Sequence, residues 1–73
     1  MNGLTNGRMV HYVDEDGTHE AAVIIRVVDE KEGVVSLFVF IFTDNVVYDV
    51  KYNETGKPLT WHWIERKIPE ENV

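Results

Sequence analysis

The sequence predicts an all-β fold of five short strands. Three observations carry that prediction. Apolar stretches rich in β-branched and aromatic residues recur along the chain and stay short, as strands do. Clusters of Gly, Asp, Asn and Pro separate them, at 14–18, 29–33, 43–45 and 53–58. No stretch reads as a convincing helix, so the layers available are strands alone.

Taken in order, Met1 to Asn6 is a short polar lead-in, read as flexible. The first strand, Arg8-Met9-Val10-His11-Tyr12-Val13, has no cleanly polar face. Asp16-Gly17 supplies the positive-φ position that a tight hairpin needs. His19-Glu20 leads into Ala21 to Val28, where Arg26 marks the wetter face and leaves Ala21, Val23, Ile25 and Val27 as the expected core side.

The chain is organised around Val34 to Phe42, nine residues of which all but Ser36 are apolar. Strand side chains alternate between two faces. One face carries Val35, Leu37, Val39 and Ile41; the other carries Ser36, Phe38, Phe40 and Phe42. Both ask to be covered, which points to a central strand with the core on one side. Val46 to Tyr52 alternates most cleanly, with Val46, Tyr48, Val50 and Tyr52 on one face. Leu59 to Glu65 is a short last strand, Trp61 and Trp63 on one face and His62 and Ile64 on the other. The tail at 66–73 contains Pro69, ends in acids and is read as flexible.

Five short strands in a single domain of 73 residues fit a small antiparallel barrel of the SH3-like kind, because closure hides edges that template aggregation. An OB-type or Sm-like barrel is the alternative. A chain this small buries only about 60% of its unfolded surface. Without cysteines it has neither disulfides nor thiolate zinc sites. Stability is then expected to come from a well-formed barrel or from self-association.

A net charge of −6 and a pI near 4.8 repel phosphate backbones, which disfavours nonspecific nucleic-acid binding. The acids lie mostly in turns and read as a solubilising coat. The opening residues do not read as a secretory leader, and no apolar run reaches the roughly 20 residues of a membrane helix. A cytoplasmic or virion-associated protein with no membrane partner is expected.

Chemistry is thinly represented. Ser36, the only serine, lies in the most apolar strand. There is no glycine-rich phosphate loop, and paired carboxylates occur only in solvated turns. The chain reads as a non-enzyme without a cofactor. His11, His19 and His62 lack the spacing of a local metal motif. Each is expected to pair with a backbone carbonyl or an acid, with no metal, although neighbouring first and last strands would bring His11 and His62 together. Trp61, Trp63 and Tyr12 are expected first as core filler, and otherwise as a stacking or assembly surface with His62.

The segments Gly7-Arg8-Met9-Val10-His11-Tyr12, Ala21-Ala22-Val23-Ile24 and Thr60-Trp61-His62-Trp63 resemble those of a group of short, uncharacterised proteins of tailed bacteriophages and prophages. In that group the last motif often reads Thr-Trp-His-Trp-Pro-Glu; here Ile64 stands in place of the proline. The resemblance covers most of the chain. It implies a phage or prophage origin and carries no activity.

The leading expectation is a structural or protein-interaction module that associates with itself or with another phage protein. Its surface would draw on Phe38, Phe40 and Phe42, or on the tryptophan strand. One alternative is a barrel that binds single-stranded nucleic acid through Arg8, Arg26, Lys51, Lys57, Arg66 and Lys67. Another is a small-ligand or glycan binder using Trp61, Trp63, Tyr12 and His62.

Overall fold

The computed structural model describes residues 1–41 and 45–64. The regular elements among them are all strands: β1 (Met9–Val13), β2 (His19–Asp29), β3 (Val34–Val39), β4 (Val46–Tyr52) and β5 (Thr60–His62). They pair in chain order, and β5 returns to β1 to close a barrel. The sequential order is a meander and not the Greek key of an OB barrel. Phe42 and the tail at 66–73 lie outside the described residues.

One pairing departs from the antiparallel expectation. β4 and β5 run parallel, joined only where Lys51 faces Thr60 and Tyr52 faces Trp61. Parallel neighbours ordinarily need a long crossover. None is needed here, because β5 starts beside the end of β4 and residues 53–59 make a local excursion between them.

The turns form as their residues dictate. The Asp14 carboxylate accepts the backbone N–H groups of Asp16 and Thr18, each at 2.9 Å, and Gly17 takes φ +85°. At the next turn the Asp29 carboxylate accepts from the Glu32 N–H at 3.1 Å. Gly33, at φ +77°, can carry no side chain. A β-carbon there would lie 2.9 Å from Met1 Cε and 3.0 Å from Tyr52 Cβ.

β3 keeps the expected alternation: Val35, Leu37 and Val39 are fully buried. Ile41 is exposed, since the strand ends at Val39. In β2 the expected core side is wrong along most of its length. Ala22 and Ile24 are fully buried, Val23 is half-buried, and Ala21 and Ile25 are exposed. The cause is a pair of bulges. Ile24 faces Leu37 and Arg26 faces Ser36, so Ile25 is an extra residue; Val27 faces Val35 and Asp29 faces Val34, so Val28 is another. Arg26 lies beyond the first bulge, and its side of the strand is not the side of Ile24.

β4 changes face for the same reason. Val47 faces Leu37, but Val50 faces Val35, which leaves one residue too many in β4, and Asp49 takes φ +54°. Val50 is buried and Val47 half-buried against the core, while Val46 and Tyr48 point to water. The lead-in belongs to the core as well. Leu4 is buried among Val10, Ile24, Leu37 and Trp61, and the amino terminus donates to the Glu30 carbonyl at 3.3 Å.

Candidate functional site

Two places on the barrel gather the residues that the sequence singles out. The first is the seam between β1 and β5. Tyr12 faces Trp61 across it and His11 faces His62, so alternation sends the aromatic pair inward and the histidine pair outward. Trp61 is fully buried, and its indole N–H donates to the Gly33 carbonyl at 2.7 Å. Its ring meets Tyr52 at a centroid distance of 5.0 Å and Trp63 at 4.9 Å, both edge to face. Tyr12 is buried too, and the Arg8 guanidinium lies 4.9 Å from the Trp63 ring centre. Trp61, Trp63, Tyr12 and Tyr52 therefore fill the core and its rim. Trp61 offers no exposed face on which a sugar or base could stack, and no pocket opens among the described residues.

On the outer side of this seam the histidines converge. Centroid distances are 5.4 Å for His11–His62, 4.9 Å for His19–His62 and 6.3 Å for His11–His19. His62 is buried, His11 half-buried and His19 exposed. Among the described residues the His62 ring meets two hydrogen-bond partners. Its Nδ1 is 2.8 Å from the Trp63 carbonyl, and its Nε2 is 2.9 Å from His19 Nδ1. A carbonyl only accepts, so Nδ1 carries the proton. In the neutral ring Nε2 then presents its lone pair to the cluster. The backbone-carbonyl partner expected for a histidine is thus found at His62. Gly56 lies against His19: a β-carbon there would be 3.2 Å from its Cε1 and 3.5 Å from its Nε2.

The expected approach of His11 and His62 occurs. What the sequence reading missed is His19, placed ahead of the strand proper. β2 in fact begins at His19, which faces Val13 while Ala21 faces His11. That makes His19 the diagonal neighbour of His11, within reach across an antiparallel pair. The signal was available in the short Asp14–Thr18 turn, which sets this register.

The second place is the outer face of β1 to β4. Met9 faces Val23, Val23 faces Phe38, and Phe38 faces Val46. This row crosses four strands without a charged residue. Phe40 extends it, edge to face with Phe38 at 5.4 Å. Phe40 is 52% exposed and Tyr48, two residues beyond Val46, is 72% exposed.

Carboxylates at the base of the β1–β2 hairpin interact. Asp14 is held below the usual carboxylate range, chiefly by the Thr18 backbone N–H. Glu20 is pushed up by burial, by its hydrogen bond to Asp14 and by the charges of Asp14 and Asp16. Burial, with Asp14, Glu20 and Glu15 nearby, raises the Tyr12 hydroxyl.

Arg8, Arg26, Lys51 and Lys57 are exposed, and the Arg8 guanidinium lies over Trp63; Arg66 and Lys67 lie outside the described residues. Comparison of the chain with family models, curated proteins and solved structures finds no match.

Proposed function

We propose that this protein is a non-enzymatic interaction module whose first partner is a second copy of itself. One observation carries the reading: the uncharged outer row Met9–Val23–Phe38–Val46, with Phe40 and Tyr48 beside it. A barrel interior receives only one face of each strand, so these side chains need cover from outside. An apolar patch is its own complement across a twofold axis. For a chain of net charge −6, it is also the surface on which two copies meet with least repulsion. Among the described residues the ladder joins β4 to β5 only at Lys51 and Tyr52. Among those residues the outer edge of Val46 to Asp49 has no ladder partner and lies beside the patch, which suits it to strand addition. The likeness of segments 7–12, 21–24 and 60–63 to short tailed-phage proteins supports a phage or prophage setting, in the host cytoplasm or the virion.

Light scattering on a sizing column tests this. The wild-type chain is expected at a stable multiple of 8.5 kDa, and Phe40→Asp at the single-chain mass with its far-ultraviolet spectrum unchanged. A wild-type chain that stays monomeric up to about millimolar concentration overturns the reading.

A further inference from the structure

The three histidines of the chain come from three different strands or strand ends, yet their candidate donor atoms all lie within 4.8 Å of one another. His11 and His62 are separated by almost the whole barrel in sequence, and His19 opens the second strand. Such convergence in space does not arise from a local run. It is set by the β1–β2 and β1–β5 registers, which place His11 opposite His62 and diagonal to His19.

We propose that His11, His19 and His62 form a binding site for a divalent transition-metal ion of the zinc class, bound through three imidazole nitrogens. Imidazole suits Zn²⁺, Co²⁺, Ni²⁺ and Cu²⁺, and calcium and magnesium prefer oxygen. This revises the expectation of no metal drawn from spacing along the chain.

Two features of the cluster match what a metal needs, beyond proximity. The first is the orientation of His62. Metal-bound histidines usually donate their remote N–H to a carbonyl or carboxylate, which fixes the tautomer and aims the other nitrogen. His62 has this arrangement already: Nδ1 faces the Trp63 carbonyl at 2.8 Å and Nε2 faces the cluster. The second is graded access. His62 is buried and held, His11 is half-buried, and His19 stands at the surface. An ion can therefore enter from solvent and meet a ring that is already placed.

The adjustment required is small. Zinc–nitrogen bonds of about 2.0–2.1 Å put tetrahedral ligands about 3.3 Å apart. His62 Nε2 and His19 Nδ1, now 2.9 Å apart, would open by a few tenths of an ångström as the ion replaces the hydrogen bond between them. The remaining gaps close by rotation of the exposed His19 and the half-buried His11. Among the described residues three ligands are supplied, and a fourth donor, such as water, would complete a tetrahedral site.

The ion would act as a clip. β5 has only three residues and holds β4 by two register pairs. Tying His62 to β1 and to the start of β2 fastens the weakest strand of the barrel. Small domains without disulfides gain stability in this way.

The experiment uses the tag-free full-length chain. Zn²⁺ is titrated by calorimetry, and Co²⁺ binding is followed by its visible d–d absorption. The expected result is one ion per chain with Kd of about 10 µM or tighter and an intense, low-symmetry Co²⁺ spectrum. Melting temperature should rise by about 10–20 °C at a hundredfold excess over Kd. His62 is buried, so replacing it tests folding as well as binding. His19→Ala, at an exposed position, separates the two and should weaken binding at least about tenfold while the apo protein keeps its far-ultraviolet spectrum and a cooperative melt, lowered only by the loss of one hydrogen bond to His62. His11→Gln, which keeps a polar side chain, should weaken binding likewise. Binding no tighter than about millimolar, or affinity and Co²⁺ spectrum unchanged in both variants, overturns the proposal. The titration is repeated on Phe40→Asp, so that loss of self-association and loss of metal binding are read separately.

Discussion

The β1–β5 seam and the outer face of β1–β4 hold the same kinds of residue and treat them in opposite ways. At the seam, Trp61 is fully buried, with its indole N–H on the Gly33 carbonyl and its ring between Tyr52 and Trp63. On the outer face Phe38 and Phe40 touch each other and are left partly or largely in water. Size and hydrophobicity do not separate the two sets. What separates them is whether the fold supplies a cavity. The Trp61 cavity is closed by Gly33, Met1, Leu4 and the lead-in. The phenylalanines lie on the outer side of a single wall, where none of the described core residues covers them.

The contrast is tested most severely by truncating one ring on each side. Trp61→Ala should lower unfolding free energy by about 3–5 kcal/mol, which is most of the stability a domain of this size possesses. Phe40→Ala, measured where the chain is monomeric, should change it by no more than about 0.5 kcal/mol. Urea denaturation gives both numbers, and comparable losses in the two variants would erase the distinction.

A smaller effect compares how each region handles strained backbone. Leu59, at the entry to β5, takes φ +66° with its N–H on the Val13 carbonyl and its side chain exposed. A left-handed leucine costs about 1–2 kcal/mol. Leu59→Gly should therefore stabilise the protein by about 0.5–1 kcal/mol after the added chain entropy of glycine. In β4 the bulge residue Asp49 has φ +54°, but aspartate tolerates that region. Asp49→Gly should gain less, and thermal melts of the two variants rank them. An equal or larger gain at Asp49 would place the greater strain in β4.

The smallest effect lies in the carboxylates beneath the seam. Glu20 is raised above its ordinary range. A raised acid keeps its proton in the folded chain after the unfolded chain has lost it. Its stabilising contribution is complete below the unfolded value of about 4.3 and is withdrawn as pH rises through the folded value. Asp14 is lowered, so its contribution is present above the unfolded value and is lost as pH falls through the folded one. Glu20→Gln should flatten the decline above about pH 4.3 by a few tenths of a kcal/mol, given its solvent screening, and leave the acid limb from Asp14 in place. Urea midpoints at a series of pH values read this. An unaltered decline in the variant would assign it to another group.

Much of the fold was legible along the chain. Each of the five expected strands overlaps an observed one, because glycine, aspartate and asparagine mark the turns through local backbone chemistry. The alternation of β3 could also be read directly, since no bulge interrupts it between Val35 and Val39 on its own side. The inward faces of β2 and β4 could not. A single extra residue reverses every side chain beyond it, and Ile25, Val28 and the bulge at Asp49 look like ordinary strand residues in one dimension. Asp49 alone left a clue, being an αL-tolerant residue inside an apolar alternation.

For the candidate sites the division is similar. The phenylalanine alternation already required cover on a second face, and the tryptophan strand already asked for a place in the core. The parallel β4–β5 contact and the meeting of His19 with His11 and His62 were decided by tertiary structure. The reason is physical: turn chemistry and strand periodicity act over a few residues. The histidine cluster depends on two long-range registers, one closing the barrel between residues 11 and 62, and these are set only when the whole core packs.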